Sequence, residues 1–211
     1  TWIKLWSDLV IVINHLSLFD ARNDTLLIGA SPNNHMSFDG GQTWIFDNSA
    51  PGSRNLSGTR QGWYKSFYSG ASRWMGGWTW TQTYMATDET AFPRRILEAG
   101  DFVFIFFGGD TNLFKYTTDG GNTWLDGTLP IQYNEDEVSV CERNDTIFVQ
   151  GNSGIAFSSD GLQSWETLAT PGLKGPLNAC FFTASGAIVS CTAHGIFRAE
   201  FPGAEFLPTE G

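Results

Sequence analysis

Ser37-Phe38-Asp39-Gly40-Gly41-Gln42-Thr43-Trp44 is followed along the chain by Thr117-Thr118-Asp119-Gly120-Gly121-Asn122-Thr123-Trp124, and then by Ser158-Ser159-Asp160-Gly161-Leu162-Gln163-Ser164-Trp165. Each copy sets a hydroxyl residue, an aspartate two positions on, a glycine-bearing turn and a tryptophan at fixed spacing. The three tryptophans fit a period of about 40 residues, with one copy skipped after the first. A second pattern keeps the same register. Arg22-Asn23-Asp24-Thr25 recurs as Arg143-Asn144-Asp145-Thr146, and each copy leads into an apolar run, Leu26–Ile28 and Ile147–Val149. Gly100-Asp101 before Phe102–Phe104, and Ser185-Gly186 before Ala187–Val189, take the same place.

Each unit therefore reads as strand, tight turn, strand, loop, strand, Asp-Gly turn, strand. In the clearest unit the strands fall near Val138–Glu142, Thr146–Gln150, Ile155–Ser158 and Gln163–Leu168. Four strands at this period predict an all-β fold, a β-propeller. The 211 residues accommodate about five four-stranded blades in one domain, near 15–48, 61–92, 94–128, 138–169 and 178–209. Residues 1–13 are left over as a possible ring-closing strand. The second unit has no clean box: Thr87-Asp88 reads as a degenerate relic, with Phe92 or Tyr84 in the tryptophan place.

The chemistry of the repeated motif is structural. Gly40-Gly41 and Gly120-Gly121 open backbone angles closed to other residues. Asp39, Asp119 and Asp160 can accept the N–H groups of their own turns. Trp44, Trp124 and Trp165 are expected to open the outer strands and lie buried between blades. A calcium site wants several oxygen ligands in one loop, and each box supplies one carboxylate.

The pattern S/T-x-D-x-G-x-T-W resembles the Asp-box, or bacterial neuraminidase repeat. The first two copies match it in full, and the third carries Leu162 for the glycine and Ser164 for the threonine. The resemblance implies a propeller with Asp-box turns. It leaves function open, because the family includes sialidases, xyloglucanases, sortilin-type receptors and assembly factors.

Composition removes several functions. A net charge of −10 and a pI near 4.6 disfavour binding to nucleic acid. They equally disfavour docking on an anionic membrane. No apolar run approaches the roughly 18 residues of a spanning helix, so membrane insertion is not expected. The first residues, Thr1-Trp2-Ile3-Lys4, show no signal peptide. Three cysteines without a CxxC pair offer no zinc site, and no cofactor or metal is expected. Cys180 and Cys191 could face each other across a hairpin, although buried free thiols are the favoured reading. Asn23, Asn55 and Asn144 stand in N-x-S/T sequons.

In such a blade the first turn and the Asp-box share one end, and the remaining loops share the other. The expected loop end carries two long segments, Asp47–Gln61 and Asp126–Glu137, so it is taken as the working face. Arg54 and Arg60 in the first segment could pair with an acidic group. Asp110 and Tyr133 lie on the same expected face, and Trp63, Tyr64, Trp78 and Trp80 offer aromatic contact area. These eight form the expected ligand or partner surface. No catalytic residue is assigned. A glycosidase needs two carboxylates across a pocket, and Asp110, Glu135, Asp136 and Glu137 are merely available. Phe92-Pro93-Arg94-Arg95-Ile96 has the residues of a sialidase segment out of order, and His15, His35 and His194 are scattered.

The expectation is a non-enzymatic recognition or assembly module. It would bind a glycan, in a lectin-like manner, or a protein partner, as an oligomer or assembly component. A bacteriophage tail or virion surface is one setting, so the location is extracellular or virion-associated, with the cytoplasm left open. The alternatives are a reduced or fragmentary Asp-box glycoside hydrolase of sialidase-like type, and an assembly factor.

Overall fold

The computed structural model describes residues 16–22, 24–30, 34–47, 55–67, 69–76, 79–86, 92–109, 111–134, 138–169, 177–182, 187–192, 194–200 and 207–208. Residues 1–13, and with them the expected closing strand, lie outside the described residues.

The described residues form five antiparallel four-stranded sheets, each a meander in chain order. Sheet one holds β1 (Leu16–Arg22), β2 (Thr25–Ala30), β3 (Asn34–Ser37) and β4 (Ile45–Asp47). Sheet two holds β5 (Asn55–Thr59), β6 (Gly62–Phe67), β7 (Gly70–Gly76) and β8 (Thr79–Met85). Sheet three holds β9 (Pro93–Ala99), β10 (Phe102–Phe107), β11 (Thr111–Thr117) and β12 (Leu125–Tyr133). Sheet four holds β13 (Ser139–Arg143), β14 (Thr146–Gly151), β15 (Gly154–Ser158) and β16 (Glu166–Leu168). Sheet five holds β17 (Leu177–Phe182), β18 (Ala187–Thr192), β19 (Gly195–Glu200) and β20 (Leu207–Pro208).

Successive sheets meet through their first strands: β1 against β5, β5 against β9, β9 against β13, and β13 against β17. Both faces of a middle sheet are therefore covered. Its second strand reads as a continuous apolar run, as in Phe102–Phe107 and Ile147–Val149, because alternate side chains enter different interfaces. Ile147 and Val149 join Phe104, Phe106 and Phe114 between sheets three and four, while Phe148 joins Ile155, Ile188 and Phe197 between sheets four and five. Met36, Leu56 and Trp63 fill the gap between sheets one and two, and Tyr64, Ala71, Ile96 and Val103 the gap between two and three. Polar groups pin the same gaps. Ile96 donates its backbone N–H to Asn55 Oδ1 at 3.0 Å. That sequon asparagine is buried and has no room for a glycan, whereas Asn144 stands exposed in the β13–β14 turn.

The structure revises the sequence reading at several points. The second unit begins at Asn55, inside the segment read as the loop Asp47–Gln61. Its first strand, Asn-Leu-Ser-Gly-Thr, has one large apolar side chain, Leu56, and gives no apolar run to read. The turn between its first two strands is Arg60-Gln61, and Ser69 instead joins the second and third. The segment Asp126–Glu137 is not a long loop, since most of it belongs to β12. There Leu129, Ile131 and Tyr133 alternate into the core, and Pro130 is tolerated because β12 is an outermost strand. Trp44, Trp124 and Trp165 are half-buried rather than buried, each standing immediately before the outermost strand of its sheet. Cys191 pairs in register with Ala179, not with Cys180, and Cys141 and Cys191 are free thiols.

Close backbone approach fixes the sheet three–sheet four contact. A Cβ on Gly151 would stand 2.2 Å from the carbonyl oxygen of Gln132, a backbone atom that cannot swing aside. Ser153 secures the same place by donating to Gln132 O at 3.2 Å and accepting Gln132 N–H at 2.8 Å. Gly151→Ala is expected to cost about 1–3 kcal/mol through overpacking. Urea denaturation should show this as a lower midpoint with an unchanged slope.

Candidate functional site

The two ends of the sheets are built differently. One end carries the β1–β2, β5–β6, β9–β10 and β13–β14 turns together with the three motif turns. Direct contacts establish the grouping: Gly40 donates its N–H to Asp24 O at 2.8 Å, and Gly120 donates its N–H to Gln61 Oε1 at 2.8 Å. The other end carries the β6–β7, β10–β11 and β14–β15 turns and the connections between sheets.

At the motif end, each aspartate is consumed by its own turn. Asp39 Oδ1 accepts Ser37 Oγ–H at 2.8 Å and Thr43 N–H at 2.9 Å, while Oδ2 accepts Thr43 Oγ1–H at 2.6 Å. Asp119 repeats the set with Thr117 at 2.8 Å, Thr123 N–H at 3.0 Å and Thr123 Oγ1–H at 2.7 Å. Asp160 does so with Ser158 at 2.8 Å, Ser164 N–H at 3.0 Å and Ser164 Oγ–H at 2.5 Å. The first hydroxyl in turn accepts the N–H of Gly41 at 2.7 Å, Gly121 at 3.0 Å or Leu162 at 3.1 Å. That closure needs two consecutive residues at positive φ: 71° and 91° at Gly40-Gly41, and 73° and 71° at Gly161-Leu162. Leu162 accepts the strained angle while its side chain is buried among the sheet three–sheet four core.

These hydrogen bonds hold all three carboxyls down to about 2. The leading cause is the Thr43 hydroxyl for Asp39, the Thr123 N–H for Asp119 and the Ser164 hydroxyl for Asp160. A depressed carboxyl favours the folded state when ionised. Its contribution is complete above the ordinary value of 3.8 and is lost as pH falls toward 2.

The expected partner residues do not converge. Arg60 sits in the β5–β6 turn, exposed at the motif end rather than the loop end, and donates its N–H to Glu98 Oε1. Trp63, Tyr64 and Tyr133 are core residues and present no surface to a partner. Trp63 and Tyr64 point from β6 into the gaps on either side of sheet two, and Tyr133 turns from β12 into the gap between sheets three and four. Tyr133 Oη accepts Phe107 N–H at 3.1 Å and donates to Leu113 O, which fixes β12 to its own sheet. Trp80 is half-buried, with Lys65 Nζ 4.2 Å above its ring. Arg54, Trp78 and Asp110 lie outside the described residues, as do Glu135, Asp136 and Glu137. Among the described residues no group of three or more His, Cys, Asp or Glu could hold a metal ion, and no helix is long and apolar enough to cross a membrane.

Sequence reading missed the clasp between sheets two and three. Gln61 donates Nε2–H to Asp101 O at 2.5 Å while accepting Gly120 N–H, and Arg73 Nη1 donates to Gly120 O at 3.2 Å. A turn of sheet two thus grips both a turn and a motif of sheet three. Phe38 stacks on Trp74 at 5.6 Å and 15° at the preceding junction, leaving Phe38 40% exposed. Only the spatial register brings these residues together, so no short sequence pattern marks them.

No protein-family profile and no curated protein match the sequence. Solved structures do. YCF48 bound to a D1 peptide matches with a TM-score of 0.67 at 15% identity, covering 93% of this chain and 69% of that one. The GH74 enzyme of Niastella koreensis gives 0.65 at 17%, covering 89% and 30%. An ancestral GH74 enzyme gives 0.73 at 10%, covering 92% and 31%. The chain thus spans about two-thirds of YCF48 and under a third of the GH74 enzymes. Acidification should lower the urea midpoint progressively between about pH 4 and pH 2, with a flatter acid limb for Asp119→Asn. At identities this low the likeness speaks to architecture alone, and the architecture is that of a β-propeller.

Proposed function

We propose that the chain is a non-enzymatic recognition or assembly module: about five four-stranded blades around one axis, three of them with Asp-box turns, binding a protein or glycan partner at the loop end. The observation that carries this reading is the division of labour between the two ends. All three motif carboxylates are spent on their own turns, and the motif end is tied up by the Gln61 and Arg73 clasp. The connections between sheets leave from the opposite end, and three of them are longer than six residues: 48–54 between β4 and β5, 86–92 between β8 and β9, and 169–176 between β16 and β17. Connections exceeding the usual span of about 4–6 residues on a rigid scaffold are where recognition concentrates. A polypeptide partner draws support from YCF48, a propeller whose structure holds a D1 peptide. A particle surface, such as a bacteriophage tail, is a setting in which such a module would act outside the cell.

The second reading, a glycoside hydrolase, is favoured by the GH74 neighbours. It requires a general acid with a raised pKa facing a second carboxylate. The resolved carboxyl shifts among the described residues are all downward.

The deciding experiment screens the purified protein on peptide and glycan arrays. It then repeats the positive arm after replacing residues 48–54, 86–92 and 169–176 with Gly-Ser linkers of equal length. Binding that disappears while the melting temperature holds supports the loop end. Unchanged binding moves the partner surface to the motif end or the outer strands. Hydrolysis of a xyloglucan or sialoside by the parent protein selects the second reading.

A further inference from the structure

Among the described residues, four of the five sheets end on a blunted outermost strand, and sheet two does not. An outermost strand has a sheet neighbour on one side only, and its other side is a template for a further strand. Sheets one, four and five end on β4, β16 and β20, of three, three and two residues, too short to serve as one. Sheet three ends on the nine residues of β12, but Asp126, Gly127 and Pro130 interrupt it, and Pro130 has no N–H to give. The end of sheet two is β8, Thr79-Trp80-Thr81-Gln82-Thr83-Tyr84-Met85. Its seven residues include no charge, no proline and no glycine, and threonine, tryptophan and tyrosine all favour strands.

Bulges are the remaining way to protect an edge. The β7–β8 register slips at Thr83 and again at Met75, and between these points Trp80, Thr81 and Gln82 pair in step with Trp74, Arg73 and Ser72. The regular run is therefore short, and it is exposed at Thr81 and Gln82. Apolar surface flanks it: Met75 is 59% exposed and Met85 55%, while Trp80 and Tyr84 are half-buried.

Charge selects the occupant. The chain has a net charge of −10, so two copies repel wherever their acidic groups meet. β8 has no carboxylate, and two copies of it can come together without setting one acid against another. The strand is also compatible with its own two-fold copy. With Thr81 opposite Thr81 of a second copy, Trp80 stands opposite Gln82 and Thr79 opposite Thr83, so hydroxyl residues meet hydroxyl residues on one face. A two-fold axis makes every such contact twice and closes the assembly at two chains.

We propose that β8 is a dimerisation edge, at which two copies of this chain join their second sheets into one antiparallel sheet. The edge lies on the outer rim, so the proposal does not rest on the loop-end reading, and antiparallel pairing points the two loop ends in opposite directions.

Sedimentation equilibrium, in a concentration series reaching about 1 mM, reads the mass and the dissociation constant. Thr81→Glu puts a carboxylate on the edge beside its register partner Arg73, which suits the single chain and brings two like charges together in the dimer. Thr81→Lys does the same with the opposite sign. Thr128→Glu, at an exposed position of β12, is the control for added charge. The expected result is a monomer–dimer equilibrium for the parent and for Thr128→Glu, a dissociation constant raised about tenfold or more in each Thr81 variant, and recovery of the dimer when the two Thr81 variants are mixed. Circular dichroism checks the fold of each variant, and should one Thr81 variant not fold, the other against Thr128→Glu decides. A parent that stays monomeric throughout the series, one that grows into larger assemblies, or a dimer that Thr81→Glu leaves intact overturns the proposal.

Discussion

In each motif a single carboxylate bridges back across its own turn, and the packing of neighbouring sheets follows from that tie. In each motif the aspartate accepts a hydroxyl from two residues before it and both an N–H and a hydroxyl from four residues after it. That reversal delivers the chain from the third strand of a sheet into the fourth. It also sets the angle at which the following tryptophan leaves. Trp124 then lies against Tyr64 and Tyr84 of sheet two, and Trp165 against Phe114 of sheet three. A local hydrogen-bond pattern is thereby converted into contact between one sheet and the sheet before it.

The same logic explains why the sheets tolerate apolar second strands. Each middle sheet is sandwiched, so Phe102–Phe107 buries side chains in both directions, with Val103 and Ile105 toward sheet two and Phe104 and Phe106 toward sheet four. The outermost strands are short in sheets one, four and five. Sheet two lacks the motif, and its place in the stack is fixed differently. Gln61 and Arg73 reach into the neighbouring motif, so one sheet borrows the geometry that the next one makes.

Much of this was legible in the sequence where a chemical requirement repeats. The aspartate, the glycine pair and the tryptophan recur because the turn tolerates little else, and the period follows from them. Sheet two was misread because β5 carries one large apolar residue and its third turn has no aspartate. A trace survives: Trp78 immediately precedes β8, as Trp44, Trp124 and Trp165 precede the outer strands of their own sheets. The end of sheet three was misread because Asp126, Gly127 and Pro130 look like loop chemistry, yet Pro130 is tolerated on the free side of an outermost strand, Asp126 pairs with Lys115, and Gly127 makes room for the Phe114 ring, which a Cβ there would meet at 2.1 Å. The partner residues were least legible. Trp63, Tyr64 and Tyr133 have the composition of a binding surface, and only the packing of neighbouring sheets shows that they are core. Arg60 changed ends because the register of one short strand decides which turn it occupies.

The motif aspartates act as structural ties, formed at all times in the folded protein. Native-state amide hydrogen exchange at Thr43, Thr123 and Ser164 tests this most directly. These three residues are solvent-exposed, and their N–H groups have an aspartate carboxylate as acceptor. Protection well above that of other exposed turn amides, lost together on acidification toward pH 2, is the predicted result. Exchange at the rate of an open turn, with the sheets still protected, would contradict it and free those carboxylates for another role.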